Sequence, residues 1–394
     1  MKRNQLRITE FLLIICMILG TIFPVCAESE NAAPEISAAS GILMEVDTGK
    51  ILCEKDSNTK RSPASVTKVM TLLLIFEQLE SGKLSLHDTV TTSAHAKSMG
   101  GSQVFLEEGE QQSVETMIKC IVIASGNDAS VAMAEHIAGS EQSFVNRMNQ
   151  RAEELGMKNT HFVDCCGLTD SDDHYTTAYD IALMSRELIR KHPQIFEYSS
   201  IWMENITHVT AQGTKEFGLT NTNRLIRIYP GCKGLKTGST SKAKFCLSAV
   251  AERDGLSLLS VVMAAPDYKA RLKDAAALLD YGFGRCSLYI DEKPEALPEI
   301  TVQKGTSYKV SLKYADTFRY VSTDGEKITA PKKELRLPSK AEAPVTADSQ
   351  AGELIYLHPR SRQELGRIPV LYAESVARLR FSDCLFMTFD AFCL

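Results

Sequence analysis

After its N-terminus the chain has no further long apolar run, and it carries no excess of positive charge, no internal repeat and no low-complexity tract. Each absence excludes something. Without a second stretch of about twenty apolar residues it is not a multi-span membrane protein. A net charge of −5 gives no electrostatic reason to bind nucleic acid or an anionic surface. The eleven cysteines show no framework spacing, and two of them, Cys16 and Cys26, lie in an N-terminal export-like segment, leaving an odd nine. Cys53, Cys120 and Cys246 sit inside apolar runs, where a free cysteine is a small core residue. The pairing state of Cys165-Cys166 stays open. His161, Asp164, Cys165, Cys166, Asp170, Asp172, Asp173 and His174 crowd together, but their spacing matches no zinc or EF-hand pattern, so no metal is expected.

What is present begins with residues 1–27. Lys2, Arg3 and Arg7 precede an uncharged apolar run from Phe11 to Val25 and a small-residue pattern at Val25-Cys26-Ala27, which reads as a secretory signal. An uncleaved anchor is the alternative; a lipoprotein signal ending at Cys26 fits less well, because Phe23-Pro24-Val25 lacks the small residue expected before the cysteine. Removal of the signal takes away three basic groups and one acidic group, so −5 becomes −7. The remaining length predicts two domains, 28–285 and 286–373, followed by a terminal segment 374–394.

In the first of these, "SAASGILMEVDTGKILCEKD" alternates about Asp47-Thr-Gly49 and predicts a hairpin. An apolar helix opens at Ser65. Two helical patterns between Val114 and Ala138 flank "ASGND", and residues 141–157 and 176–191 read as amphipathic helices, the second capped by Thr176-Thr177. From Lys233 the period becomes that of strands, and a helix closes the domain near residue 284. The order implies a sheet with helices packed around it. Residues 300–372 hold short alternating runs split by Gly, Pro, Asp and Lys, the mark of a small β-rich domain. The terminal segment has a helical stripe at Ala377, Phe381, Leu385, Phe389 and Phe392, suited either to a membrane surface or to docking on the second domain.

Three short motifs carry chemistry. In "SPASVTKVMT", Ser65 and Lys68 lie one helical turn apart, so the amine can approach the hydroxyl. If burial depresses the lysine's pKa, the neutral amine can accept the hydroxyl proton. The helix start would add an N–H and a positive dipole for a developing oxyanion. Spacing alone decides little, since Ser57/Lys60, Ser239/Lys242 and Ser241/Lys244 share it; only Ser65/Lys68 opens a long apolar helix. Ser125-Gly126-Asn127 offers a hydroxyl and a carboxamide on a tight turn between helices, able to bind a lysine amine and a substrate amide. Lys236-Thr237-Gly238 ends a strand, where a lysine and a hydroxyl can hold a carboxylate and the strand edge can pair with an extended peptide.

S-x-x-K, S-x-N and K-T-G in this order, each in fitting local structure, form the motif set of penicillin-binding proteins and class A β-lactamases. The chain resembles the low-molecular-mass penicillin-binding proteins, the serine-type D-alanyl-D-alanine carboxypeptidases of peptidase family S11. "MGGSQVFLEEGE", "SGNDASVAMAEHIAG", "HYTTAYDIALMSREL" and "GLKTGSTSKAKFCL" carry the likeness over roughly residues 36–285. The resemblance implies an α/β (α+β) penicillin-binding/β-lactamase-like transpeptidase fold, with a mixed antiparallel sheet, surrounding helices and a β-rich second domain.

The resemblance also implies roles. Ser65 is expected as nucleophile toward the penultimate D-alanine of peptidoglycan stem peptides, Lys68 as general base and Ser125 as proton relay. Asn127 is expected on the substrate amide, and Lys236, Thr237 and Gly238 on the terminal carboxylate side. The N–H groups of Ser65 and Ser239 would form the oxyanion hole. No cofactor is required, β-lactams are expected inhibitors, and an envelope or secreted location follows. Ser239 stands where relatives often have a larger side chain, and Lys233 replaces their usual acidic residue, which touches substrate preference. Cys165-Cys166 are expected on a surface loop beside the cleft. Three other readings stand beside this one. A β-lactamase would need a dedicated deacylating glutamate, which the sequence does not show; a cross-link peptidase would share every motif; a non-catalytic wall-binding protein would have a broken one.

Overall fold

The computed structural model describes residues 33–292 and 294–382. The signal-like segment and the apolar stripe beyond Phe381 lie outside the described residues. From Ile36 onward the chain forms one compact unit. Among the described residues no helix is long and apolar enough to cross a membrane.

The first half is built on one sheet. Strands β1 (Ser40–Glu45) and β2 (Ile51–Lys55) form the expected hairpin. Its turn is anchored by the buried Glu45 carboxylate, which accepts the N–H groups of Asp47 and Thr48 at 3.0 and 2.7 Å. Helices α1 (Lys68–Glu80), α2 (Val114–Val122), α3 (Asn127–Ala138), α4 (Glu141–Glu154) and α5 (Ala178–Lys191) follow. Thr177 caps α5 through Asp180 N–H, as its sequence position suggests. Strands β3 (Met203–Thr210) and β4 (Gly213–Thr220) make a separate hairpin that the motif reading passed over. Strands β5 (Cys232–Thr240), β6 (Lys244–Arg253) and β7 (Leu256–Ala265) and helix α6 (Tyr268–Arg285) complete the layers.

The order across the sheet is β2-β1-β7-β6-β5, and every pairing is antiparallel. Alternation along the strands splits the core. Ile42 and Met44 face the helical layer around α1, whereas Leu43 faces the layer closed by α6. Strand β5 is left at the edge, open to the cleft.

Helix α1 is the central element, and Lys68 through Phe76 are all buried. A helix surrounded on every side needs apolar residues on every side, which is why its pattern shows no polar face. It does not begin as an α-helix at Ser65, however. Residues Ala64–Thr67 form a 3-10 turn, and the α-helix starts at Lys68. The tighter turn leaves Ser65 part-exposed at its head while Lys68 is fully enclosed.

From residue 287 the chain is strand-rich, with two small cores of its own, one around Val302, Val310 and Val345, the other around Tyr356, Ile368 and Val370. Residues 374–380 correct the expectation of a helix beginning at 374. They run as extended chain, with Val376 bridged to Val345 and Arg378 to Gly305. Val376 fills the first of these cores, and that burial decides the conformation over the helical spacing of Ala377 and Phe381.

Candidate active site

The three motifs meet where α1, the turn before α3 and the edge strand β5 converge. Lys68 Nζ lies 3.0 Å from Ser65 Oγ, 2.6 Å from Asn127 Oδ1 and 2.8 Å from the Cys166 carbonyl oxygen. Two of these partners are oxygens with no hydrogen to give, so each must take one from the amine. A neutral amine has two hydrogens and one lone pair. With both hydrogens committed, the lone pair faces the Ser65 hydroxyl, the geometry of a general base. Complete burial lowers the Lys68 pKa, partly opposed by the charges of Cys166, Cys165, Asp164 and Asp128. Among the described residues Lys68 makes no ion pair, so no direct carboxylate contact offsets the burial.

On the opposite wall, Lys236 Nζ reaches Ser125 Oγ at 2.9 Å and the Thr237 carbonyl at 3.1 Å. Its pKa is driven well below the ordinary lysine value by burial, then by the charges of Lys68 and Arg271. Thr237 donates to Thr222 Oγ1 at 2.7 Å. Gly238 is required by closeness. A Cβ there would stand 2.7 Å from the Pro63 carbonyl oxygen and 3.0 Å from Ser65 N, so the strand lies directly against the nucleophile's turn. The neighbouring Ser239 is exposed on that strand.

Two strained backbone positions lie here. Ala64 and Ser125 both have positive φ, 48° and 63°, a conformation that costs side-chain-bearing residues about 1–3 kcal/mol. One precedes Ser65, and the other carries the second hydroxyl. Asp128 secures the motif from behind, accepting the N–H groups of Val104 and Ala129 at 3.0 and 2.9 Å.

Asn127 is shared between two partners. Its Oδ1 holds Lys68, while Nδ2 donates to the Gly100 carbonyl at 2.7 Å, leaving one amide hydrogen for a substrate. Its first task in the structure is to orient the base. The Cys165-Cys166 loop is corrected: both residues are fully buried, not on a surface loop. Their carbonyls accept from Thr71 and Lys68, an arrangement that needs the pair packed beneath α1. Gly167 follows because a Cβ there would fall on the Ala64 carbonyl.

The rest of that crowded loop is used locally. Asp164 accepts N–H groups from Cys166, Gly167 and Thr169, His174 Nε2 meets Thr67 Oγ1 at 2.9 Å, and Asp172 pairs with Lys242 at 2.6 Å. Lys233, the departure beside β5, pairs with Glu252 at 2.9 Å and lies over the Phe196 ring. The motif reading missed Arg271. This buried guanidinium on α6 donates to the Gly238 and Cys246 carbonyls at 3.3 Å, under the K-T-G strand. Only its place on the sheet-facing side of α6 would have signalled it.

An antiparallel sheet whose edge strand presents a buried lysine to a serine–lysine pair at the head of a central helix defines the penicillin-binding class of transpeptidase fold. The comparisons narrow this. Residues 27–267 match the peptidase S11 model, D-alanyl-D-alanine carboxypeptidase, and the chain belongs to that family. It is 41% identical over 345 residues to the D-alanyl-D-alanine carboxypeptidase DacF of Bacillus subtilis, covering 87% of each chain. Against DacA of Escherichia coli it is 38% identical over 256 residues, 64% of this chain and 62% of that protein. Among solved structures it resembles penicillin binding protein 5 of Haemophilus influenzae at 28% identity and a TM-score of 0.68, covering 88% of this chain and 99% of the other. A peptidoglycan synthesis regulatory factor of Streptococcus pneumoniae, also titled as a penicillin-binding protein, gives 0.70 at 26% identity, covering 87% and 100%. The chain is thus a serine-type D-alanyl-D-alanine carboxypeptidase, a penicillin-binding protein of peptidoglycan remodelling.

Proposed function

We propose that Ser65 is the nucleophile, Lys68 its base, and Ser125 the group that passes the proton on. The single observation carrying this is the buried Lys68 amine 3.0 Å from Ser65 Oγ, with the Asn127 and Cys166 oxygens as its other partners; in its neutral form it gives both hydrogens to those two and turns its lone pair to Ser65. Lys68 takes the Ser65 proton as Oγ bonds to the carbonyl carbon of the penultimate D-alanine. The carbonyl electrons move onto oxygen, met by the N–H groups of Ser65 and Ser239. As the C–N bond breaks, the proton reaches the leaving amine through Lys68 and Ser125, and D-alanine departs. Water, deprotonated by the same amine, then cleaves the ester. Lys236 and Thr237 hold the terminal carboxylate, and the remaining Nδ2 hydrogen of Asn127 binds the substrate amide. A β-lactam enters by the same first step and stays as the ester.

Residues 28–285 carry this chemistry, and 286–373 form an accessory β-rich domain. Export to the cell envelope is supported by the basic, apolar and small-residue order of residues 1–27. The apolar stripe past Phe381, with Phe381 itself 84% exposed, supports peripheral membrane contact. Labelled penicillin followed by mass spectrometry of the peptide holding Ser65 tests the assignment. The adduct is expected on Ser65; an unmodified Ser65 in folded protein refutes it.

A further inference from the structure

Beside the cleft lies a groove of about 500 Å³, within the size range of small-ligand sites. Its walls are the loop through Phe105 and the β3–β4 hairpin, including Thr210, Gln212 and Phe217. Phe105 is 64% exposed and has φ 63°, a conformation a bulky side chain adopts only under constraint. Strain that holds an aromatic ring out in water, where burial would have stabilised it, points to something the ring contacts.

The constraint is visible. Asp128 fixes the N–H groups on both sides, Val104 at 3.0 Å and Leu106 at 3.2 Å. Glu110, wholly enclosed, accepts from Glu107 N–H at 2.9 Å and from His208 Nδ1 at 2.7 Å, tying loop to hairpin. Phe217 meets the Phe105 ring edge-on, centroids 5.8 Å apart. His208, only 8% exposed, keeps Nε2 without a partner among the described residues. With Nδ1 taken by Glu110, Nε2 is left to meet a polar group of a ligand.

The walls of the groove are tied to the cleft along the chain. Ser102 O and Gly100 O both hold Asn127, at 2.7 Å each, and Phe105 is three residues on, no more than about 11 Å of chain from Ser102. The other wall runs from Phe217 to Thr222, the partner of Thr237. An extended four-residue acyl portion spans about 13–14 Å, the same scale as these chain connections. An aromatic face, hydroxyl and amide groups at Thr210 and Gln212, the Lys215 amine as a further donor, and Glu107 already paired with Lys97 suit a ring with an apolar face and hydroxyl edges.

We propose that this groove is a subsite for a sugar ring of the glycan that bears the stem peptide, with Phe105 as its stacking face. The inference rests on the carboxypeptidase reading above and adds a second recognition element to it.

The test uses the full chain and two substrates, a free pentapeptide ending in D-Ala-D-Ala and the same peptide carried on its N-acetylated disaccharide, with D-alanine release as readout. The disaccharide form is expected to show a KM about tenfold lower at equal kcat, the effect of one aromatic stacking contact made equally in ground and transition states. Phe105→Ala is expected to erase the difference, and Gln212→Ala, at the exposed hairpin tip, to reduce it about threefold. Acylation of each preparation by labelled penicillin reports that its cleft is folded. Equal KM values for the two substrates in the unmodified protein, or a difference that survives both substitutions, overturns the subsite. Absence of D-alanine release from either substrate refutes the carboxypeptidase reading instead.

Discussion

Two parts of the molecule hold lysines away from bulk water, one half-buried and one fully buried, and treat them in opposite ways. In the β-rich half, Lys333 pairs with Asp291 at 2.6 Å, and Asp291 also accepts from the Tyr356 hydroxyl at 2.7 Å. Burial pulls the Lys333 pKa down, but the hydrogen bond and charge of Asp291 outweigh it, and the group stays a cation above its usual value. In the cleft, Lys68 and Lys236 are buried completely, have no ion-pair partner among the described residues and are shifted downward. An unpaired buried charge is costly, so the pKa of such an amine is pushed down. A paired lysine stabilises a fold; an unpaired one, held by neutral oxygens, becomes a base or a ligand for an incoming carboxylate.

The comparison is broken most severely at the proposed nucleophile and base. Ser65→Ala and Lys68→Ala are each expected to lower penicillin acylation by about 10⁴-fold or more, because groups that act as a unit fail together. Lys333→Ala should leave the same rate unchanged, measured by stopped-flow acylation on all three proteins. Lys236→Ala is expected to cost about 10²–10³-fold in kcat/KM on a D-Ala-D-Ala peptide, the range for losing one preorganised electrostatic contact; gel-resolved D-alanine assays are unnecessary, since a coupled release assay reads it directly.

The pH dependence separates the two lysine types without mutation. Lys68 serves only as the neutral amine, so acylation falls as pH falls through its folded-state pKa and rises to a plateau above it. Because burial lowers that pKa, the midpoint is expected below the ordinary lysine value of 10.5. A rate profile whose midpoint sits at or above 10.5 would remove the burial argument. The smallest effect lies in the other half. Tyr356→Phe removes a buried hydroxyl from Asp291 and should lower stability by about 1 kcal/mol in urea unfolding, with acylation unaffected.

Much of the fold was readable along the chain. The β1–β2 hairpin, the Thr177 cap and the run of strands from residue 232 follow from local pattern and turn chemistry. The β3–β4 hairpin was equally local, with alternation in "MENITHVT" and a turn at Gly213, but carried no motif to draw attention. Residues 374–380 misled because their helical spacing was real and burial of Val376 overrode it. Cys165-Cys166 misled because nothing nearby in sequence shows that α1 lies above them.

By itself the sequence determined which groups are present and in what order: a serine and a lysine one turn apart on an apolar helix, a second serine with an asparagine, and a lysine ending a strand. It left Ser65/Lys68 with the same spacing as three other pairs. Tertiary structure separated them. Lys60 lies over the Tyr175 ring and Lys242 pairs with Asp172, whereas Lys68 is enclosed. The partners that take its hydrogens, Asn127 and Cys166, are 59 and 98 residues away, and Lys236 meets Ser125 across 111. A lysine's charge is set by what surrounds it, and those surroundings come together only when the layers pack.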